Sequence, residues 1–257
     1  MGEILWAPDE TRITREPLTR FGEFAATQSS RATFSCYDDL HAWSVDQASE
    51  FWRTLWQFSG VLGEPGETVL VDETRFPGAR WFPEAQLNYA ENLLSRAGSD
   101  PALIAYLEEG DARVLSWDEL RASVASVASG LRRAGVQPGD RVAGFMPNVP
   151  EAVIAMLATS AIGAVWSSCS PDFGINGVLD RFGQIDPKVL FAAAGYTYNG
   201  RQWDCTERLV QIAEALPGLQ QLVLVSGDAA AEPMALADVP RAIAYEDWLP
   251  TDPEPLS

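Results

Sequence analysis

Three segments of the chain contain residue types suited to binding a ligand, and each follows a predicted strand. Residues 146–150 (Met-Pro-Asn-Val-Pro) offer a helix cap at Asn148. Residues 167–174 (Ser-Ser-Cys-Ser-Pro-Asp-Phe-Gly) are rich in hydroxyl groups and lead into a helix, a geometry that accepts anions. Residues 195–201 (Gly-Tyr-Thr-Tyr-Asn-Gly-Arg) end in Arg201, whose planar guanidinium suits phosphate. The structural alternatives are a well-made helix start, a solvated turn and a solvated arginine.

The residues that standard catalytic and metal sites need are absent or isolated. Neither the dinucleotide pattern GxGxxG nor the triphosphate pattern GxxxxGK[ST] occurs, and Lys188, the one lysine, opens a predicted strand. His41 is the one histidine and has no serine elbow to pair with, while Cys36, Cys169 and Cys205 are too widely spaced for a zinc site. The sequence therefore predicts no catalytic residue and no metal ligand in this chain. Cys169 is expected to be buried and unreactive.

The charge of the chain argues against polyanionic partners. Of its 257 residues, 36 are acidic and 18 are basic, which gives a net charge of −18. Because this field repels phosphate, we expect no nucleic-acid partner and no binding to an anionic membrane surface. An anionic small molecule would need a local basic pocket.

No segment indicates secretion or membrane insertion. The start, MGEILWAP, has no basic region and too short an apolar run for a signal peptide. Residues 152–171 carry no charge, but hydroxyl residues and Gly163 interrupt them, which favours a buried helix followed by a buried strand. Since the widely spaced cysteines also fit a reducing compartment, we predict a cytoplasmic protein without membrane contact.

Hydrophobic periodicity predicts the elements that position the three segments. From residue 98 onward, short apolar runs alternate with amphipathic runs, which is the pattern of a parallel sheet with helices on both faces. The predicted strands are 141–146, 164–168, 188–193, 222–225 and a short one near 242–245; the predicted helices are 148–162, one with Leu179, Phe182 and Ile185, and 205–216. A hairpin of 102–107 with 113–115 precedes them, followed by a capping box of Ser116 and Glu119.

The part before the sheet has a different character. Residues 1–97 are predicted to form a mainly helical region, and residues 98–257 a first α/β subdomain. Ser44 with Gln47 three residues later is predicted to form a capping box that starts a helix with an aromatic face.

Longer stretches resemble a known family. Residues 135–168 (GVQPGDRVAGFMPNVPEAVIAMLATSAIGAVWSS) closely resemble the N-terminal domain of the acyl-CoA synthetase branch of the adenylate-forming enzymes. Residues 81–94 (WFPEAQLNYAENLL) are similar to the segment before the core of its short-chain members. Within that branch, Trp6-Ala-Pro, FWRTLWQFSGVLGEPG, FPGARWF, SSCSPDFG and GYTYNGRQWD are most similar to the acetoacetate-activating members.

The resemblance implies an acetoacetate–CoA ligase that uses ATP, CoA and Mg²⁺ and forms an acyl-adenylate. An acetyl- or propionyl-CoA ligase of the same branch is one alternative, and a non-catalytic module that binds CoA, a nucleotide or a protein is another. In this family the phosphate loop, the acid pocket and the C-terminal lid lie beyond the matched stretch. The AMP-binding domain is therefore expected to be incomplete here, and this portion is expected to be inactive alone and to bind no cofactor tightly. Its incomplete sheet is expected to favour self-association.

The resemblance also implies residues on the CoA side of the site. The positions that match those holding the CoA nucleotide in relatives are Ser170, Pro171, Asp172 and the stretch 198–201 with Arg201. The relatives have Phe-Gly-Gly in the first loop, without an acid at the position of Asp172. Of their two basic positions, this chain keeps one, as Arg201.

Overall fold

The computed structural model describes residues 5–29, 33–108, 110, 112–226 and 239–256. The chain divides into two compact units, Met1–Leu87 and Asn88–Ser257. The predicted domain boundary after residue 97 stays a prediction. Among the described residues, no helix combines the length and the apolar character needed to cross a bilayer.

The first unit is mainly helical. Its elements are α1 (Glu10–Arg15), α2 (Pro17–Gln28), α3 (Tyr37–Asp46), α4 (Ala48–Ser59) and the antiparallel pair β1 (Leu70–Val71) and β2 (Arg80–Trp81). Phe21 of α2 packs against Trp43 of α3 and Phe51 of α4, with ring centroids 6.5 and 5.7 Å away. The indole N–H of Trp43 donates to the Glu50 carboxylate at 2.9 Å, so the buried ring keeps a hydrogen-bond partner.

The capping box predicted at Ser44 and Gln47 is wrong. Ser44 lies inside α3, where its hydroxyl donates to the carbonyl of His41 at 2.7 Å. Gln47 precedes α4 without a side-chain cap. Because α3 and α4 follow each other directly, the Ser-x-x-Gln pattern spans their junction instead of starting a helix.

The second unit has the predicted α/β architecture. In chain order its elements are α5 (Tyr89–Leu93), β3 (Pro101–Ala105), β4 (Arg113–Ser116), α6 (Trp117–Arg133), β5 (Arg141–Phe145), α7 (Pro150–Ala161), β6 (Val165–Cys169), α8 (Ile175–Ile185), β7 (Val189–Ala193), β8 (Gly195–Tyr198), β9 (Arg201–Asp204), α9 (Thr206–Ala215), β10 (Gln221–Val225), β11 (Ala242–Ala244) and α10 (Tyr245–Trp248). Strands β11-β10-β7-β5-β6 form, in that order, a parallel sheet, while β3 and β4 form the predicted hairpin.

Alternating side chains of the central strands fill one hydrophobic core on each face of the sheet. In β7, Val189 and Phe191 point into the core beneath α6 and α7, whereas Leu190 points into the core beneath α8 and α9. All three are fully buried, and full burial of such a side chain stabilises the fold by about 1.5–3 kcal/mol. Continuous apolar strands are needed because both faces are covered.

The helix starts around the sheet differ in their chemistry. At α6 the predicted capping box is confirmed: the Ser116 hydroxyl accepts from the Glu119 amide at 3.3 Å, and the Glu119 carboxylate accepts from the Ser116 amide at 2.8 Å. The cap predicted at Asn148 is wrong. Helix α7 begins at Pro150 after Val149, without a side-chain cap. Proline at the first helical position has no N–H to satisfy, so it starts the helix without one.

Candidate functional site

All three predicted binding segments lie at the same edge of the parallel sheet. The loop of residues 170–174 follows the carboxyl end of β6, and β8 follows the carboxyl end of β7, with β5 between these two strands. Sheets of this kind bind ligands at their carboxyl edge. The third segment, residues 146–150, follows β5 at that edge and serves as the start of α7.

The loop after β6 is organised around Asp172. The Ser170 hydroxyl donates to Asp172 Oδ2 at 2.8 Å, and the Phe173 amide donates to the Ser170 carbonyl at 3.2 Å, which closes a turn. Pro171 is buried in this turn, whereas Ser170 and Asp172 are exposed. The sequence predicted that the hydroxyl groups of this loop could bind an external anion. In the structure, the Ser170 hydroxyl instead donates to a carboxylate of the same loop.

Tyr196 of β8 connects this loop to the next segment. Its side chain is buried, and its hydroxyl donates to Asp172 Oδ1 at 2.7 Å. This hydrogen bond, followed by the one from Ser170, lowers the pKa of the Asp172 carboxyl, which stays ionised at neutral pH. Burial, followed by the bond to Asp172, raises the pKa of Tyr196 to about 12.

Arg208 of α9 fixes the same loop from another direction. Its Nη1 donates to the Pro171 carbonyl, its Nη2 donates to Cys205 Sγ at 3.2 Å, and its guanidinium lies 5.7 Å from the centre of the Phe145 ring. Cys169 is buried, as predicted, and so is Cys205. Burial raises the pKa of both thiols, so both remain protonated.

The segment of residues 195–201 is not the predicted loop. It forms β8 and the turn into β9, with Tyr198 paired to Arg201. Asn199 and Gly200 occupy the turn with φ angles of 52° and 68°, the left-handed conformation of two-residue hairpin turns. Asn-Gly is the strongest short-range hairpin signal, so this hairpin could have been predicted from the sequence.

Arg201 is exposed at the end of this hairpin, beside an aromatic face. Its guanidinium lies 5.3 Å from the centre of the Trp203 ring, and Trp203 stacks on Tyr196 at 6.5 Å with 15° between the ring planes. Trp203 is 43% exposed. The contacts therefore run from Asp172 through Tyr196 and Trp203 to Arg201, and they join the two segments into one site.

Tyr196, Trp203 and Arg208 were not among the predicted site residues. Tyr196 and Arg208 make contacts across long separations along the chain, 24 residues to Asp172 and 37 residues to Pro171, whereas Trp203 contacts Tyr196 and Arg201 within the hairpin. An arginine on a predicted helix gives no sign that it turns towards a loop. Arg181 also covers the Phe173 ring at 4.3 Å, so the loop that contains the ionised Asp172 is contacted by two arginines, Arg181 and Arg208.

Lys188 has a structural role at the opposite edge of the sheet. It precedes β7 and donates from Nζ to Asp140 Oδ2 at 2.6 Å, just before β5. The hydrogen bond from Lys188 makes the largest contribution to lowering the pKa of the Asp140 carboxyl, and the hydrogen bond from the Gln137 amide makes the next largest. Lys188 is therefore not a mobile phosphate-binding ammonium.

The first unit contains an open apolar cavity of about 470 Å³. Its lining includes Phe21, Leu40, Phe51, His41 and Ser44. Because the Ser44 hydroxyl donates to the backbone carbonyl of His41, this pair is not a serine–imidazole dyad. The cavity therefore supplies mainly hydrophobic surface.

Comparisons with known proteins place these features in a family. A family profile described as "AMP-binding enzyme" matches residues 91–255, and one described as "Acetyl-coenzyme A synthetase N-terminus" matches residues 37–93. The chain is 47% identical over 227 residues to acetoacetyl-coenzyme A synthetase from Rhizobium meliloti (strain 1021), covering 88% of this chain. It is 34% identical over 265 residues to malonamoyl-CoA synthetase vrtB from Penicillium aethiopicum, covering 98% of this chain.

A solved structure shows the same fold. Acetoacetyl-CoA synthetase from Streptomyces lividans matches 99% of this chain with a TM-score of 0.88 and 40% identity. The chain spans 35% and 36% of the length of the two relatives and 39% of the solved chain. It corresponds to their N-terminal part.

Proposed function

Because the chain belongs to the AMP-binding enzyme family, we propose that the protein containing it is an acetoacetate–CoA ligase. Acetoacetate and ATP would give acetoacetyl-adenylate and pyrophosphate, and the thiol of CoA would then displace AMP to give acetoacetyl-CoA. The observation that carries this proposal is the likeness to acetoacetyl-CoA synthetase from Streptomyces lividans over 99% of the chain. This chain would supply the N-terminal portion of the ligase.

In this proposal, the groups that hold ATP and Mg²⁺ lie outside this portion. The chain has no glycine-rich triphosphate loop, and its one lysine is paired with Asp140. In the part of the chain that the structure describes, no three His, Cys, Asp or Glu side chains cluster as a metal site would require. We therefore assign the adenylation step to residues outside this chain.

The CoA side fits the described residues better. Arg201 offers an exposed guanidinium for a phosphate, and the half-exposed Trp203 ring beside it offers a face for a base. Ser170, Pro171 and Asp172 would form the opposite wall of the site, connected through Tyr196. Because the Asp172 carboxylate is ionised, this wall would contact neutral parts of CoA, while Arg201 would receive the charge.

Two further properties belong to this proposal. Free cysteines and the lack of any described membrane-spanning helix support a cytoplasmic enzyme. Strand β6 ends the described sheet and leaves Val165 50% exposed, which supports self-association of this portion when isolated. Sedimentation of the purified chain would then give a mass above that of a monomer, whereas a monomer at all concentrations would refute this property.

Acid-dependent AMP formation by the complete gene product tests the function. With ATP, CoA and Mg²⁺ present, acetoacetate should give kcat/KM at least about tenfold above acetate and propionate, since a fitted pocket discriminates by about 1–3 kcal/mol. The 257-residue chain alone should release no AMP. Preference for acetate or propionate would favour the neighbouring ligases of the branch, and no AMP with any of the three acids would favour a non-catalytic module.

A further inference from the structure

Glu108 reaches the tip of the β8–β9 hairpin from a distant part of the chain. It follows β3, and its two carboxylate oxygens accept from the amides of Asn199 and Gly200 at 2.7 and 2.8 Å. These residues lie 91 and 92 positions away. Both hydrogen bonds lower the pKa of the Glu108 carboxyl, and the one from Gly200 has the larger effect. The carboxyl is therefore ionised at neutral pH.

The turn leaves two amides that such a carboxylate can bind. The ladder pairs Tyr198 with Arg201, which leaves the amides of Asn199 and Gly200 outside the strand hydrogen bonds. Hydrogen bonds to an ionised carboxylate are about twice as strong as those between neutral groups. One ionised carboxylate therefore satisfies both amides at once.

The hairpin is also short. Each strand contributes four residues, and all four side chains of β9 are exposed. A two-stranded hairpin of this size is marginally stable by itself. The buried side chains of β8 fix the base of the hairpin, whereas its exposed tip, next to Arg201, is contacted by Glu108.

We propose that Glu108 is a positioning residue for CoA, which holds the hairpin tip so that Arg201 meets the CoA phosphate. The inference rests on the proposed function, because it assigns Arg201 the CoA charge. Glu108 has a second, opposing effect, since its own charge repels an anion. We expect the positioning effect to dominate, because the repulsion acts through solvent at an exposed surface, whereas the two hydrogen bonds act directly on the turn.

The sign of the change in CoA affinity decides between the two effects. In the complete gene product, we expect E108A to raise the KM for CoA about tenfold. A change of this size corresponds to the loss of roughly one charge-assisted hydrogen bond. E108Q should raise it less, because the amide oxygen still accepts one bond. The KM values for ATP and acetoacetate should not change in either variant.

The control is E207Q, which removes one charge from the exposed start of α9, where Glu207 contacts Gln211 at 3.3 Å. It should leave the KM for CoA unchanged. Hydrogen exchange gives a readout that is independent of activity: the amides of Asn199 and Gly200 should exchange faster in E108A than in E207Q.

A lower KM for CoA in E108A or E108Q would overturn the proposal and show that Glu108 competes with the anion. An unchanged KM with faster exchange would overturn it too, since the tip would move without affecting CoA.

R201A separates this failure from that of the proposed function. If R201A raises the KM for CoA and E108A does not, the inference alone fails; if R201A has no effect, the assignment of Arg201 fails. Should E108A not fold, E108Q answers the same question.

Discussion

Tyr196 is the residue through which the two halves of the candidate site contact each other. Its ring stacks on Trp203 of β9, while its hydroxyl donates to Asp172 in the loop after β6. A carboxylate at an anion-binding edge is unfavourable unless other groups bind it. The hydroxyls of Tyr196 and Ser170 do so, and Arg208 holds the neighbouring Pro171 carbonyl.

Replacement of Tyr196 by phenylalanine should change the alkaline stability of the protein. Because the pKa of Tyr196 is raised to about 12, above the unfolded value near 10, its contribution is complete below pH 10 and is lost as pH rises towards 12. The free energy of unfolding of the unmodified protein should therefore fall by about 2 kcal/mol over this range, and Y196F should lack that part of the fall. Urea unfolding at stepped pH measures the difference.

The matched control for this variant is Y198F, on the same strand but 61% exposed. It should reproduce the pH profile of the unmodified protein. Identical profiles for Y196F and Y198F would contradict the buried hydrogen bond to Asp172.

At the scale of elements, α6 packs against α10 through a glycine. A Cβ placed on Gly130 would lie 2.7 Å from Cη2 and Cζ3 of Trp248. The indole N–H of Trp248 donates to Gln221 at 2.7 Å, and the ring is 5% exposed, so it has little freedom to move. Glycine is required here for close approach, although it lowers helix propensity.

G130A should therefore destabilise the protein by about 1–3 kcal/mol through overpacking against Trp248. G183A, on α8, is the matched control, because no described atom lies within 4 Å of the added Cβ. It should stabilise by about 0.5–1 kcal/mol through helix propensity. Chemical denaturation of the two variants measures both values; equal shifts for the pair would rule out the predicted contact.

Elements determined by neighbouring residues could be predicted from the sequence, whereas contacts between residues far apart in the chain could not. The strands of the sheet were predicted to within about one residue because their apolar runs reflect burial on both faces. The capping box at Ser116 was predictable because it directly precedes an amphipathic helix, whereas the same reasoning failed at Ser44, inside α3. The β8–β9 hairpin has a local signal in its Asn-Gly turn, which the prediction of a loop there overlooked. Its contact with Glu108 left no local signal.

Across the whole molecule, a chain of strong net acidity brings three arginines together at one edge of its sheet. The net charge is −18, yet Arg181, Arg201 and Arg208 lie around the loop after β6 and the hairpin. The expectation that an anionic ligand needs a local basic environment therefore directs attention to this edge. Of the four predicted site residues, Arg201 is the one whose charge is directed to an external anion in this account.

We propose that this chain serves the thiol side of the reaction, while adenylation depends on residues outside it. The measurement that tests it most directly compares the two half-reactions of R201A in the complete gene product. Acetoacetate-dependent exchange of pyrophosphate into ATP should equal that of the unmodified protein, while the KM for CoA should rise about tenfold, the effect of losing one charged contact. R12A is the control, because Arg12 also lies 5.3 Å from the centre of a tryptophan ring, that of Trp6, and should change neither quantity. An unchanged KM for CoA in R201A, or a loss of pyrophosphate exchange with CoA binding intact, would contradict the account.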